Sequence, residues 1–555
     1  MRRHKIIGAI IVAGLLAAGC GGSSGSGGSS SAAGASGVLT ISNESGGTWT
    51  CQFNPFNPDV TILSFGPVYE PLAFVNNLQS GKASPWLATG WTWSNGNKVL
   101  TFTIRKGVRW ADGKPVTAAD VVFTFNLLKK YPALDLNASW ANLTSVVQQG
   151  TDQVVMTFST AASPYFYYVA GQTAIVPEHI WSKISNPVTY GDAKPVGSGA
   201  YSVGACTPQN ITYTASKHYW QPGEPKVAKV LYPAFTSNTP ANTELADGTA
   251  QWGNQFIPDI QKFYADKSSD NHYWFPPTAN NSLFLNLKDP VLSNVAVRQA
   301  IAYAIDRNKV SQIGEEGYEP AANQNGIVTP TFKSWFDAQD AATYNYGYNP
   351  AKAQQILIAA GFRKGSNGMF ASKSGQPLSL TVINIGDYSD FVASLAVVVQ
   401  DLKAAGIGLT VQNLSNNAFN DALFDGKYQM AFYYETGGPT PYYEMRQWLL
   451  SANSAPIGKS ASSNFERYSS PATDALLNSY ASASTAAEQH QIVNQLQQVL
   501  LKDVPVIPLT ESVDWYEYNT GAFSGWATPS NPYAQPGPAL SPDFGWVLLH
   551  LKPKS

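Results

Sequence analysis

The chain has 555 residues, 44% of them apolar, which is enough to bury the cores of several domains. Its formal net charge of −2, with only 13% of residues charged, argues against a polyanionic partner and so against nucleic acid. Trp (15), Tyr (28) and Phe (25) exceed what cores alone require, so some of these rings are expected on a ligand surface.

Taken in order, the chain opens with basic Arg2, Arg3 and Lys5, a short apolar run over 6–18, and Ala17-Ala18-Gly19-Cys20. This reads as a signal peptide, too short for a membrane span, ending in a sequence that resembles a bacterial lipobox with Cys20 as the lipidated residue. Residues 21–37 are only Gly, Ser and Ala, a tether of about 20–25 Å as a random coil. With Cys20 set aside, Cys51 and Cys206 are the remaining thiols, and in an exported chain they are expected to pair.

Ordered structure is predicted to start with a strand at 38–41. In 98–128, Leu100, Phe102 and Ile104 alternate with Thr101, Thr103 and Arg105, which predicts a half-buried strand. Gly107 and Ala111-Asp112-Gly113 supply turns, and a helix follows with Thr117 as N-cap and Asp120 completing a capping box. The glycines of Pro195-Val196-Gly197-Ser198-Gly199-Ala200-Tyr201 predict a tight turn in close contact with neighbouring backbone. A strand is expected at 281–287. The period-3.6 pattern predicts one amphipathic helix over 295–307, with Val297, Ile301, Ala304 and Ile305 inward. Asn349 caps a further helix that Gly361 stops. The strand at 378–383, helix at 395–405, strand from 406, helix at 491–501 and strand at 504–509 complete a β-α-β rhythm and an α/β class.

The spelling of three of these stretches is more particular than their shape. TFTIRKGVRWADGKPVTAADVVFTFNLL, VRQAIAYAIDR and the Asn349 helix resemble blocks of the family 5 extracellular solute-binding proteins (cluster C), receptors that deliver peptides, nickel chelates or oligosaccharides to ABC importers. The resemblance implies a type II periplasmic-binding-protein-like fold: two α/β lobes with mixed sheets, an extra subdomain and a hinge. Residues 38–67, 190–285 and 511–555 would form lobe I, with 68–189 as its extra subdomain. Lobe II would be 286–510, and strands near Leu283 and Val506 would cross between the lobes. It also implies a monomeric receptor, lipid-anchored to the outer face of the cell membrane (periplasmic where there is an outer membrane), that closes on a ligand and docks on the permease. Arg298, Asp306 and Arg307 are expected to be salt-bridging or capping residues.

The cargo is expected to be written in 428–450. Peptide-binding members of the family place an acid here for the peptide's α-amino group, whereas this chain has Gly437-Gly438-Pro439-Thr440-Pro441, and Glu435, two residues earlier, is the alternative acid. Gly438 to Tyr442, Gln251 to Asn254 and Asn531-Pro532-Tyr533-Ala534 resemble the oligosaccharide-binding branch. A neutral oligosaccharide is therefore the expected ligand and an oligopeptide the alternative. Trp49, Trp252, Asn254, Tyr433, Tyr434, Glu435, Tyr442, Tyr443, Arg446, Trp515 and Trp526 are the candidate contacts, since flat rings and amides suit sugar C–H faces and hydroxyls. With six His and no nucleophile elbow, Walker A or metal-ligand spacing in a credible context, no catalytic residue, cofactor or metal is expected, and a secreted glycosidase has no positive signal.

Overall fold

A computed structural model describes residues 36–554 except 44–46, 59, 236 and 484. The signal peptide, Cys20 and nearly all of the tether lie outside the described residues.

The first strand, Ser36–Ser42, runs parallel to Val227–Pro233 on one side and to Trp252–Gly253 on the other. It lies at the centre of a seven-stranded sheet completed by Asn210–Ala215 and Tyr201–Thr207 at one edge and by Glu517–Asn519 and Asn271–Tyr273 at the other. Leu39 and Ile41 alternate inward from it onto Tyr213, Tyr232, Trp252 and Phe544. At the turn 197–201, a Cβ on Gly197 would stand 1.8 Å from the Val68 carbonyl oxygen, and one on Gly199 would stand 2.3 Å from that of Pro67. Only glycine allows so close an approach.

A separate four-stranded antiparallel sheet has the order Ala88–Ser94, Val99–Ile104, Gln153–Phe158, Leu143–Gln149. Leu100, Phe102 and Ile104 are buried and Thr101 and Thr103 half-buried, the alternation that the sequence shows. The helix Ala118–Lys130 packs on this sheet. The Asp120 carboxylate accepts from the Thr117 N–H (2.8 Å) and hydroxyl (2.9 Å), and also from the Glu178 N–H (3.0 Å), so the cap of one helix holds the start of the next.

The third sheet is mixed, in the order Gly408–Leu414, Ser379–Ile385, Met430–Tyr434, Pro277–Leu285, Val506–Val513. Pro277–Leu285 and Val506–Val513 both belong to it, so passage from this sheet to the seven-stranded one occurs at 274–276 and 514–516 rather than at 285 and 511. The strands around Leu283 and Val506 therefore do not themselves cross; their extensions do. Those extensions stay paired, with the Trp274 N–H donating to the Tyr516 carbonyl (3.0 Å) and the Asp514 N–H to that of Pro276 (2.9 Å).

The single helix expected over 295–307 is two, Val295–Ala304 and Arg307–Gly314. Ile305 is extended, and Asp306 caps the second helix by accepting from the Lys309 N–H (3.2 Å). Arg298 and Arg307 form no ion pair among the described residues. Arg298 donates to the carbonyls of Leu292, Ser293, Asp503 and Val504, and Arg307 to those of Ala302, Tyr346 and Pro508 and to Gln324. The fork geometry of guanidinium fits several loop carbonyls at once, which explains why the expected salt bridges are absent.

Cys51 and Cys206 are disulfide-bonded across a sequence separation of 155 residues. In the chain-entropy picture so long a closed loop stabilises by roughly 3 to 5 kcal/mol. The Cys51→Ser/Cys206→Ser protein is expected to lose that amount in chemical denaturation, seen as a lower midpoint with a steeper slope, because the unfolded chain without the crosslink exposes more surface.

Candidate ligand-binding cleft

A cavity of about 920 Å3 opens between the seven-stranded and the mixed sheet, beside the segment that follows the Ala118–Lys130 helix. Its walls come from the loops after the first strand (Trp49, Phe56), from Asn254 and Phe256, from the helix-following segment 134–137, and from the ends of the third sheet at Tyr388, Tyr434 and Glu435. Its floor is the crossing segment with Asp514 and Trp515.

The local supports of these side chains are specific. Trp49 donates from Nε1 to the Tyr232 carbonyl (2.8 Å), packs edge-on against that ring, and lies two residues from the disulfide. Asn254 follows its short strand and donates to Asn43 Oδ1 (3.2 Å). Trp515 is wedged edge-on between Phe256 (5.4 Å) and Phe275 (4.8 Å). Tyr434 ends its strand opposite Asn281 with its ring stacked on Tyr433 at 4.5 Å. Glu435 is buried just beyond, its Oε1 without a hydrogen-bond partner, and burial pushes its carboxyl up to about 8.

Trp49, Asn254, Tyr434, Glu435 and Trp515 thus face the cavity, and the other six sequence candidates do not. Trp252 is fully buried, donates to the Pro536 carbonyl (2.9 Å) and packs on Trp526 and Phe544. Trp526 is core as well, its Nε1 held by the Asn519 and Phe523 carbonyls. Tyr433 sits behind Tyr434 against Phe419. In each case the ring's apolar area is used for packing, and both indole N–H groups are satisfied inside the protein.

Tyr442, Tyr443 and Arg446 belong to the helix Pro441–Leu449, which closes one flank of the cleft. Tyr442 stacks on Tyr480 at 4.0 Å, and the Tyr443 hydroxyl donates to the Pro164 carbonyl (2.9 Å). The Arg446 guanidinium donates to the Tyr165 hydroxyl (3.2 Å) and lies over the Tyr165 and Tyr168 rings at 5.7 and 5.9 Å. Ser163 Oγ adds a bond to the Ala481 carbonyl (3.3 Å). These contacts join the third sheet's layer to the segment flanking the four-stranded sheet, so they stand at the flank of the cleft rather than line it.

Sequence reasoning missed a group of polar side chains on the floor: Asn77, Asn281, Glu319, Asp390, Asp514 and Asp543. Asp514 adjoins Trp515 and was within reach of the sequence signal, whereas the others come from distant parts of the chain with no shared local pattern. Burial pushes the carboxyls up, Glu319 and Asp543 to about 8, Asp514 to about 7 and Asp390 to about 6. Among the described residues no Lys, Arg or His lines the cavity, and no group of three or more His, Cys, Asp or Glu is placed to hold a metal.

The model of the bacterial extracellular solute-binding proteins, family 5 Middle, matches residues 82–456, more than half of the chain. The chain belongs to that family. This family 5 receptor is 23% identical over 488 residues to the periplasmic murein peptide-binding protein of Escherichia coli, covering 84% of each chain. It is 24% identical over 422 residues to the nickel-binding periplasmic protein of the same species, 73% of this chain and 76% of that one. Among solved structures it resembles the mannohexaose-bound periplasmic oligopeptide-binding protein of Thermotoga maritima, with a TM-score of 0.85, 27% identity, and coverage of 93% and 98%. The nonapeptide complex of the Bacillus subtilis oligopeptide-binding protein shares its fold, with a TM-score of 0.76, 19% identity, and coverage of 94% and 99%. The receptor is accordingly the extracytoplasmic solute-binding component of an ABC importer, in a family of binding proteins and not of enzymes. No helix among the described residues is long and apolar enough to cross a membrane.

Two outcomes follow from this geometry. The folded state holds more protons than the unfolded one wherever a carboxyl titrates above its ordinary value near about 4. Stability of the ligand-free protein is therefore full below that range and is lost as pH rises through about 6 to about 8, the values of Asp390, Asp514, Glu319, Glu435 and Asp543. Thermal unfolding midpoints should fall across that window, with a shallower slope in Glu435→Gln. Removing the Arg446 cation with Arg446→Met should cost on the order of 1 kcal/mol of this contact between the layers, read as a larger radius of gyration in solution scattering and about three- to tenfold weaker ligand binding.

Proposed function

We propose that this receptor is lipid-anchored through Cys20, works as a monomer, and captures a neutral oligosaccharide between two lobes that close about the paired crossing segments 274–276 and 514–516. Residues 68–189 form the extra subdomain of the first lobe in this reading, and the closed form is what the permease receives. The observation that carries the cargo assignment is the absence of Lys, Arg and His from the cavity wall among the described residues. A peptide brings a terminal carboxylate into the cleft, and a buried carboxylate without a cationic partner is strongly unfavourable. An oligosaccharide brings hydroxyls and apolar C–H faces, which the amides of Asn254 and Asn281 and the rings of Trp49, Tyr434 and Trp515 can receive. Likeness to the mannohexaose-bound Thermotoga protein supports the same choice.

A peptide remains the second reading, favoured by the names of the sequence relatives. A thermal-shift screen of manno-, cello- and xylo-oligosaccharides against di- to pentapeptides separates the two; stabilisation by peptides alone would overturn the assignment. With the saccharide so found, Trp49→Ala and Trp515→Ala are each expected to weaken binding about tenfold in calorimetry, roughly 1.4 kcal/mol.

A further inference from the structure

The floor of the cleft is crowded with carboxyl and amide oxygens. Glu319, Asp390, Asp514 and Asp543 reach it from four separate elements, and among the described residues no basic side chain lines the cavity with them. Glu319 Oε2 accepts from Asn281 Nδ2 (2.5 Å) and Thr510 Oγ1 (2.6 Å); Asp514 accepts from Thr278 Oγ1 (3.0 Å) and Gln535 Nε2 (3.0 Å); Asp543 accepts from the Gln535 N–H (2.9 Å). All of these donors are neutral. Two further side chains on the same floor, each more than nine-tenths buried, carry an acceptor oxygen without a hydrogen-bond partner: Asn77 Oδ1 and Asn281 Oδ1. Both amides spend their N–H groups elsewhere, Asn77 on Gln535 Oε1 (2.6 Å) and the Tyr167 hydroxyl, and Asn281 on Glu319 and Thr510. Buried acceptors of this kind are costly unless a donor arrives, and a charged donor gains most because the carboxyls beside it have no other counter-ion.

We propose that the floor around Asn77, Asn281, Glu319, Asp390, Asp514 and Asp543 is a subsite for a protonated primary amino group of the ligand, so that an amino-bearing oligosaccharide is preferred over its hydroxyl counterpart and a uronate is rejected. This rests on the oligosaccharide assignment and narrows it. An ammonium brings up to three donors, and a charge that favours ionised carboxyls, to a floor of carboxyl and amide oxygens, where a sugar hydroxyl brings one donor and no charge. Burial raises Glu319 and Asp543 to about 8 and Asp514 to about 7, so without a cation beside them they hold their protons near neutral pH, and a bound ammonium would favour their ionised form and release protons on binding.

Calorimetry on the whole mature protein with a glucosamine tetramer, cellotetraose, tetragalacturonate and tetralysine tests the inference. The glucosamine tetramer is expected to bind about tenfold or more tightly than cellotetraose at low salt, with the ratio shrinking as salt is raised, and tetragalacturonate is expected not to bind. In Asp390→Asn and Asp514→Asn the ratio of the two affinities should fall towards one; the salt dependence of the unmodified protein provides the test if either variant fails to fold. Equal affinity for glucosamine tetramer and cellotetraose, or binding of tetragalacturonate as tight as that of cellotetraose, would overturn the amino subsite and leave the oligosaccharide assignment standing. Binding of tetralysine and other peptides with no saccharide bound would overturn both.

Discussion

Everything in this receptor hangs on two lengths of backbone that leave one sheet and enter another side by side. Trp274 to Pro276 and Asp514 to Tyr516 hydrogen-bond to each other as they cross, so their polar groups are satisfied without help from either layer. A connection of this kind resists shear and stretching but can bend, because bending changes few backbone dihedrals and breaks no ladder. The cleft lies directly over it, with Asp514 and Trp515 as floor.

The remaining interactions divide the work. Trp252, Tyr213, Tyr232 and Phe544 consolidate the first sheet, and Arg298 and Arg307 gather loop carbonyls around the third, so each layer is stiff in itself. Between the layers, Tyr443 donates to the Pro164 carbonyl and packs edge-on against Tyr167 and Tyr168, Arg446 meets Tyr165 and Tyr168, and Ser163 donates to the Ala481 carbonyl. Such chemistry suits contacts that form and break, since separated tyrosines and an arginine are readily solvated where a large apolar face would not be.

The cavity combines aromatic walls with a floor of carboxyl and amide oxygens on which, among the described residues, no Lys, Arg or His is placed. Rings such as Trp49 and Trp515 are held rigidly by their own partners, Tyr232 for the first and Phe256 and Phe275 for the second, so they present flat faces at small further entropic cost. On the floor, Asn77 Oδ1 and Asn281 Oδ1 have no donor, and the carboxyls beside them are bonded to neutral donors.

Local pattern was enough for the sequence to determine the strand through Leu100, Phe102 and Ile104, the Thr117–Asp120 cap, the Asn349 and Gly361 helix ends and the glycine turn at 197–199, because each depends on neighbours a few residues away. Family membership was legible for the same reason, being carried by contiguous blocks. A break at Ile305 within one amphipathic run was not, since both halves keep the same periodicity and the second helix is set by Asp306 as its cap. Nor did the sequence decide which aromatics meet a ligand. Trp252 and Trp515 look alike in one dimension, yet one is packed beneath Trp526 and Phe544 and the other stands on the cleft floor. The acid floor belongs to tertiary structure altogether: Asn77, Asn281, Glu319, Asp390, Asp514 and Asp543 share no spacing, and only the meeting of separately folded layers over the crossing segments brings them together. Periodicity reports whether a side chain faces inward, and only the packed fold distinguishes a core from a cleft.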